Sequence, residues 1–270
     1  MLIILLLFII SAAQSVHSLR VLVAGGSGFV GSRVINLLLQ SGNEVVALSR
    51  RGSPNTVEGL TSVKCDVADK DAVKNVFMTY GPFDSVLHAI GLLFDAESGL
   101  KGFNALASGS GSEPGAESTY DRITRQTSFN LIDAVNEQQH ERKEDTDVTC
   151  KPLPFIFVSA AEAGWTWPSP VTFLERYLVA KRAVESRLLN EPLLRPVILR
   201  PSLIYTNDRP QAMASVIPFM IGSSIGIPGI EKPVTLDVLT KSAVVAFGDD
   251  TERGVYRVGE MTTLAERWNK

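Results

Sequence analysis

Residues 20–31 read R-V-L-V-A-G-G-S-G-F-V-G, and no other stretch limits the fold so tightly. Val21 to Ala24 form an apolar run that predicts a strand buried on both faces. The run breaks into Gly25, Gly28 and Gly31, spaced G-x-x-G-x-x-G. An amphipathic helix follows, with Val30, Val34, Leu37 and Leu38 on one face. Strand, tight turn and helix in that order present backbone N–H groups and a helix N-terminus to a diphosphate. Gly25 permits the sharp turn, Gly28 lets the phosphates approach, and Gly31 lets the helix pack close to the sheet. Gly-rich turns are common, so the spacing gains its specificity from lying between a strand and a helix. In that setting it predicts a dinucleotide site.

Strands are expected at 20–24, 44–48, 62–65, 84–88, 154–158, 196–199 and 254–258. Helices are expected at 29–40, 69–79, 120–137, 173–190 and 235–248, with a helical stretch near 211–221. The alternation predicts an α/β fold, a doubly wound parallel Rossmann sheet with a small C-terminal lobe. Residues 19–205 read as the dinucleotide-binding domain, and 206–270 as a small lobe completing the same fold. The Gly/Ser-rich segment 95–118 and the charged segment 138–147 read as surface excursions. Residues 1–18 read as a hydrophobic, signal-like leader. The apolar run Leu2 to Ile10 is followed by small and polar residues, without a basic start, and falls short of the roughly 20 apolar residues a span needs.

A net charge of -3 gives no reason to expect a nucleic-acid partner. Cys65 and Cys150, with His17, His88 and His140, show no metal-ligand spacing, and no disulfide is expected.

Two further places carry chemistry. The second strand ends in Ser49, Arg50 and Arg51, where an NAD-specific fold usually places an acid. An arginine fork matches a 2′-phosphate, so NADP(H) is the preferred cofactor and NAD(H) the alternative. Asp66, after the third strand, reads either as an acceptor for the adenine amino group or as a cap on the next turn. Tyr177 and Lys181 lie four apart on a helix and share a face. An ammonium beside a phenol favours the phenolate, so this pair reads as a proton-transfer site working beside a nicotinamide.

These segments, with Ser159 and the run Leu199 to Tyr205, occur in the order of the extended or atypical short-chain dehydrogenase/reductases, and the chain resembles that family over about residues 20–260. The stretches 86–93, 157–160 and 180–185 are most similar to the branch holding the Rossmann-fold accessory subunit of respiratory complex I, a fungal coenzyme Q biosynthesis protein and plant organellar relatives. The resemblance implies that Gly25, Gly28 and Gly31, with Phe29 and Val30, hold the phosphates. Ser49 and Arg50 would set cofactor preference, and Asp66 and Val67 would flank the adenine. Ala89, Ile90 and Gly91 would pass under its ribose, and Pro201 and Leu203 would lie beside the nicotinamide. It further implies Tyr177 and Lys181 as the catalytic pair, with Lys181 also reaching the nicotinamide ribose and Ser159 placing the substrate. One departure stands out. The substrate-orienting hydroxyl falls on Ser159 or, one register on, on Ala160, which has none; losing such a donor costs about 10²–10³ in rate.

The branch implies an oxidoreductase on an apolar carbonyl or quinone-like substrate, linked to ubiquinone metabolism. The alternative is a non-catalytic NADP(H)-binding structural or assembly factor in a membrane-associated respiratory or quinone-biosynthesis complex. The weakly charged stretch containing Pro218, Phe219, Met220, Ile225 and Ile227 suits an apolar ligand, though ordinary core packing explains it as well. The resemblance points to a mitochondrion, at the inner membrane, or a plastid; the leader alone points to the secretory pathway and endoplasmic reticulum.

Overall fold

The computed structural model describes residues 18–52, 57–92, 94–98, 115–145, 151–169, 171–206, 208, 220–226 and 229–269. Strand β1 (Arg20–Ala24) leads through helix α1 (Phe29–Gln40) to β2 (Glu44–Ser49). Then come β3 (Leu60–Lys64), α2 (Lys70–Tyr80) and β4 (Ser85–His88). Helix α3 opens with a π-helical stretch (Asp121–Gln126) and continues as α-helix (Thr127–Asp145). It is followed by β5 (Leu153–Val158), a 3-10 turn (Ala161–Gly164), α4 (Thr172–Leu189) and β6 (Leu194–Leu199). The two-residue strands β7 (Ile204–Tyr205) and β8 (Val234–Thr235) pair with each other. Helix α5 (Leu236–Gly248), β9 (Gly254–Tyr256) and α6 (Val258–Glu266) complete the chain.

The main sheet has seven parallel strands in the order β3-β2-β1-β4-β5-β6-β9. The chain builds outward from β1 to one edge, returns to lay β4 beside β1, and builds to the other edge. The reversal opens a crevice at the carboxyl ends of β1 and β4. Alternation along each strand divides the core. Leu22 and Ala24 pack with Val46, Val86, Leu131 and Val184 on one face. Val21 and Val23 pack with Val34, Leu38, Ala243 and Met261 on the other. Both faces are covered, which is why β4 and β6 are buried at every position.

Three local differences from the sequence reading stand out, the first two with a physical cause. Helix α3 runs on through 138–145, where a surface excursion was expected. The buried Gln138 accepts from the Phe83 N–H at 2.8 Å and donates to its carbonyl at 2.9 Å, while Gln139 donates to the Lys151 carbonyl at 2.9 Å. The charges lie around a helix that its glutamines fasten. Helix α6, not anticipated, buries Met261, Leu264 and Ala265, and its entry is closed by the Arg257 N–H on Glu260 at 2.7 Å. Strand β3 starts two residues early, at Leu60. The leader up to residue 17, most of the 95–118 segment and most of the helical stretch near 211–221 lie outside the described residues.

Candidate functional site

The crevice is shaped by close backbone approach. The N–H groups of Gly25 and Gly26 both donate to the Leu48 carbonyl at 3.0 Å, which ties the first turn to the end of β2. Gly25 has φ +89°, and a Cβ there would lie 2.9 Å from the carbonyl carbon and oxygen of Ala89. A Cβ on Gly26 would meet that of Ala47 at 2.8 Å, a requirement the three-glycine spacing did not single out. Gly28 caps α1, whose first turn carries neither an acidic residue nor a side-chain cap, so its positive end is not neutralised from within.

Gly25, Gly28, Ser49, Arg50, Asp66, Val67, Ala89, Ile90 and Gly91 line one groove. Ser27, Leu48, Cys65, Leu92, Ile123 and Thr127 complete it, none of which the motif spacing marks. Phe29, Val30 and Gly31 lie behind it on α1, with Val30 packed against the core. Pro201 and Leu203 are outside the lining. Their carbonyls accept from Ala161 at 2.8 Å and Val234 at 3.0 Å. Arg50 and Arg51 are exposed, and Arg50 has no ion-pair partner among the described residues. Asp66 is engaged: one oxygen accepts from the Ala68 N–H at 3.1 Å and the other from Arg122 at 2.9 Å. The cap of α2 itself is Asp69, bonded to the N–H groups of Asp71 and Ala72.

The second cluster lies along α4. Lys181 is 3% exposed and donates from Nζ to the Val158 carbonyl at 2.7 Å. Nζ stands 4.8 Å from the centre of the Phe157 ring and 5.6 Å from that of Tyr177. Burial pulls the lysine down to about 8, with Glu185 working against that pull. The Tyr177 ring meets Tyr120 edge-on, at 5.4 Å and 68°. Its phenol is pushed above the ordinary range, by burial first and then by Glu162, Tyr120 and Glu185. This corrects the expectation of a lowered phenol: burial, joined by Glu162, Tyr120 and Glu185, raises it. Glu162 is itself raised, by burial and then by Glu231.

Ser159 is turned away from the role expected of it. Its buried hydroxyl donates to Glu185 Oε1 at 2.5 Å, and Arg200 grips the same carboxylate through Nε (3.0 Å) and Nη2 (2.5 Å). Ala160 next to it is buried and has no hydroxyl. Sequence reasoning also passed over His88. It is fully buried and donates from Nε2 to Thr127 Oγ1 at 2.8 Å, because the Thr127 hydroxyl spends its own proton on the Ile123 carbonyl at 2.6 Å. Burial, then the Lys181 charge, hold His88 down to about 3, so it is neutral. Glu185 had a legible signal, since Tyr177, Lys181 and Glu185 follow at i, i+4 and i+8. Glu162 and Tyr120 had none.

Residues 21–101 match the model of the NAD dependent epimerase/dehydratase family, a span that holds every glycine of the cradle. MIOREX complex component 2 of Saccharomyces cerevisiae is 23% identical over 211 residues, covering 70% of this chain and 74% of that protein. An uncharacterized chloroplastic protein of Arabidopsis thaliana is 23% identical over 278 residues, covering 96% and 81%. The Bordetella bronchiseptica enzyme WbmH in complex with NAD+ superposes with a TM-score of 0.59 at 19% identity, covering 89% of this chain and 76% of that one. ElxO with NADPH bound gives 0.60 at 14% identity, covering 89% and 97%. At such identities the superpositions show the fold, a Rossmann-like α/β sheet. The resemblance to the extended and atypical short-chain dehydrogenase/reductases holds.

Proposed function

We propose that this chain is an NADP(H)-binding oxidoreductase that reduces an apolar, quinone-like carbonyl substrate. The observation that carries the reading is the half-buried Tyr177 beside the buried Lys181 on one face of α4, in a chain whose β1–β4 crevice is built from close-approach glycines. The residues present fit a dinucleotide. The uncapped first turn of α1, with Gly25 and Gly28, offers backbone donors to a diphosphate. Arg50, exposed at the rim, offers a fork to a 2′-phosphate, with Ser49 beside it. Asp66, Val67 and Ala89 to Gly91 would flank the adenosine, and Pro201 and Leu203 the nicotinamide side. When bound, a nicotinamide cofactor supplies the hydride. Tyr177 holds the proton: its raised phenol stays protonated at neutral pH, which suits a donor to a carbonyl oxygen better than a base. Lys181, fixed by the Val158 carbonyl, stands beside it.

A second reading, an NADP(H)-binding structural or assembly factor of a membrane-associated complex, is favoured by the commitment of Ser159 to Glu185. That leaves the substrate without the hydroxyl expected after β5. The yeast relative, named as a complex component, supports the same alternative. The two relatives support an organellar location, in a mitochondrion or plastid.

The test is a titration with NADPH and NADH, followed by energy transfer from Trp165 and Trp167. NADPH is expected to bind, and Arg50→Ala to weaken it roughly tenfold or more, the worth of a charge-assisted hydrogen bond, with little effect on NADH. Binding of neither cofactor refutes both readings. Tyr177→Phe separates them: it leaves NADPH affinity in place and abolishes turnover only if the chain is an enzyme.

A further inference from the structure

Tyr177, Lys181 and Glu185 share one face of α4, and the proposed function uses only the first two. The Glu185 side chain is 4% exposed, and both of its oxygens are engaged. Ser159 and Arg200 Nε donate to Oε1, and Arg200 Nη2 to Oε2. A bidentate arginine with one further donor is the arrangement in which a buried carboxylate stays charged. The partners come from different elements. Ser159 follows β5, Arg200 follows β6, and the Arg200 N–H is tied to the Tyr256 carbonyl of β9 at 2.9 Å. Gly164, in the 3-10 turn, leaves room for the guanidinium: a Cβ there would lie 2.9 Å from Nη1. Among the described residues, Lys181 has no carboxylate in direct contact; its polar contact is the Val158 carbonyl.

We propose that Glu185 is the positioning residue of this site: clasped by Ser159 and Arg200, it fixes the face of α4 that carries Tyr177 and Lys181, and its negative charge keeps the buried Lys181 an ammonium. The role as a positioning residue rests on the oxidoreductase reading; the charge coupling does not. Among the described residues, the groups around Lys181 leave Glu185 as the carboxylate that acts on it. On α4 these are Tyr177 and Glu185. From β4 comes His88, held neutral. From β5 come the Phe157 ring and the Val158 carbonyl. Tyr120 and Glu162 face Tyr177. Of the Glu185–Arg200 pair, Glu185 is the member felt at Lys181.

The experiment is an NMR titration of isotope-labelled lysine side chains in the cofactor-free protein, with Lys181 assigned by its loss in Lys181→Arg. The wild-type midpoint is expected near about 8. Glu185→Gln should lower it by roughly one unit or more, the effect of a removed opposite charge, and Glu185→Asp should restore most of the shift. Ser159→Ala, which leaves the charges in place, should move it far less than Glu185→Gln. If Glu185→Gln fails to fold around an unpaired Arg200, the double variant Glu185→Gln, Arg200→Gln removes both charges and should still lower the midpoint. A folded variant without Glu185 whose Lys181 titrates as in wild type overturns the proposal. NADPH affinity adds a second readout. The deficit of Glu185→Gln should widen above pH 7 and close near pH 6, where Lys181 regains its proton, whereas a purely structural defect persists at both. If wild type binds neither cofactor while the Lys181 midpoint still follows residue 185, the oxidoreductase reading fails and the charge coupling stands.

Discussion

At Gly31 a single methyl group has nowhere to go: a Cβ there would fall inside the van der Waals shell of the Gly25 carbonyl oxygen. Gly31→Ala must lift α1 from the turn. It is expected to cost about 1–3 kcal/mol, in the range of overpacked sites, and to weaken NADPH binding. Urea denaturation checks the first and the cofactor titration the second, and an unchanged unfolding midpoint removes the steric account. Positions of this kind are legible because their demand is local: the helix passes against the turn six residues before it, and only glycine leaves the room. Tyr177 and Lys181 were legible for the same reason, since one helical turn brings them together. The direction of the Tyr177 shift was not. Its cause is burial, reinforced by Glu162 and Glu185, and burial is a property of the assembled interior. Ser159 could be placed after β5 from its spacing, but Glu185, 26 residues on, decides where its hydroxyl points.

Elements in this fold are finished by side chains that arrive from elsewhere. Arg195, on β6 and 6% exposed, donates to the carbonyls of Glu252 (2.5 Å), Ala246 (3.0 Å) and Phe247 (3.4 Å), and so closes the carboxyl end of α5. Arg195→Met keeps the apolar stem and strips the donors. It is expected to cost about 2–3 kcal/mol, the scale for buried groups left unpaired, read as a fall in thermal midpoint. No fall would mean that α5 ends without this help. The same dependence explains which elements the sequence reading reached. Strand β1, α1 and α4 carry their own periodicity and stand close to where it put them. The last turns of α3 are held by Gln138 and Gln139 against Phe83 and Lys151, contacts that a charged run conceals. Helix α6, nine residues long, is defined by its docking on α5 more than by its own pattern, and β7 and β8 are too short to show any.

For the whole molecule, the buried His88 makes stability depend on pH. It is held to about 3 against an ordinary value of 6.5, by burial and then by Lys181. Between those values the unfolded chain binds a proton that the folded chain refuses. Stability present above about pH 6.5 is therefore lost as pH falls, at about 1.4 kcal/mol per pH unit. His88→Leu, whatever it does at neutral pH, should flatten that acid limb in denaturant titrations between pH 6.5 and 4; an identical slope in the variant would clear His88. The seam between β1 and β4 has a different consequence. All the glycines, Ser49, Arg50, Asp66 and the Ala89–Gly91 wall of the crevice lie in the first 91 of 270 residues, while Tyr177, Lys181 and Glu185 lie beyond β5. The first portion meets the second where β4 pairs with β5. A chain emerging from the ribosome thus lays down most of the wall of its proposed nucleotide site before Tyr177, Lys181 and Glu185 have been made. Descent can treat the two portions as separate inheritances, rewriting or silencing the second while the first keeps the proposed nucleotide site.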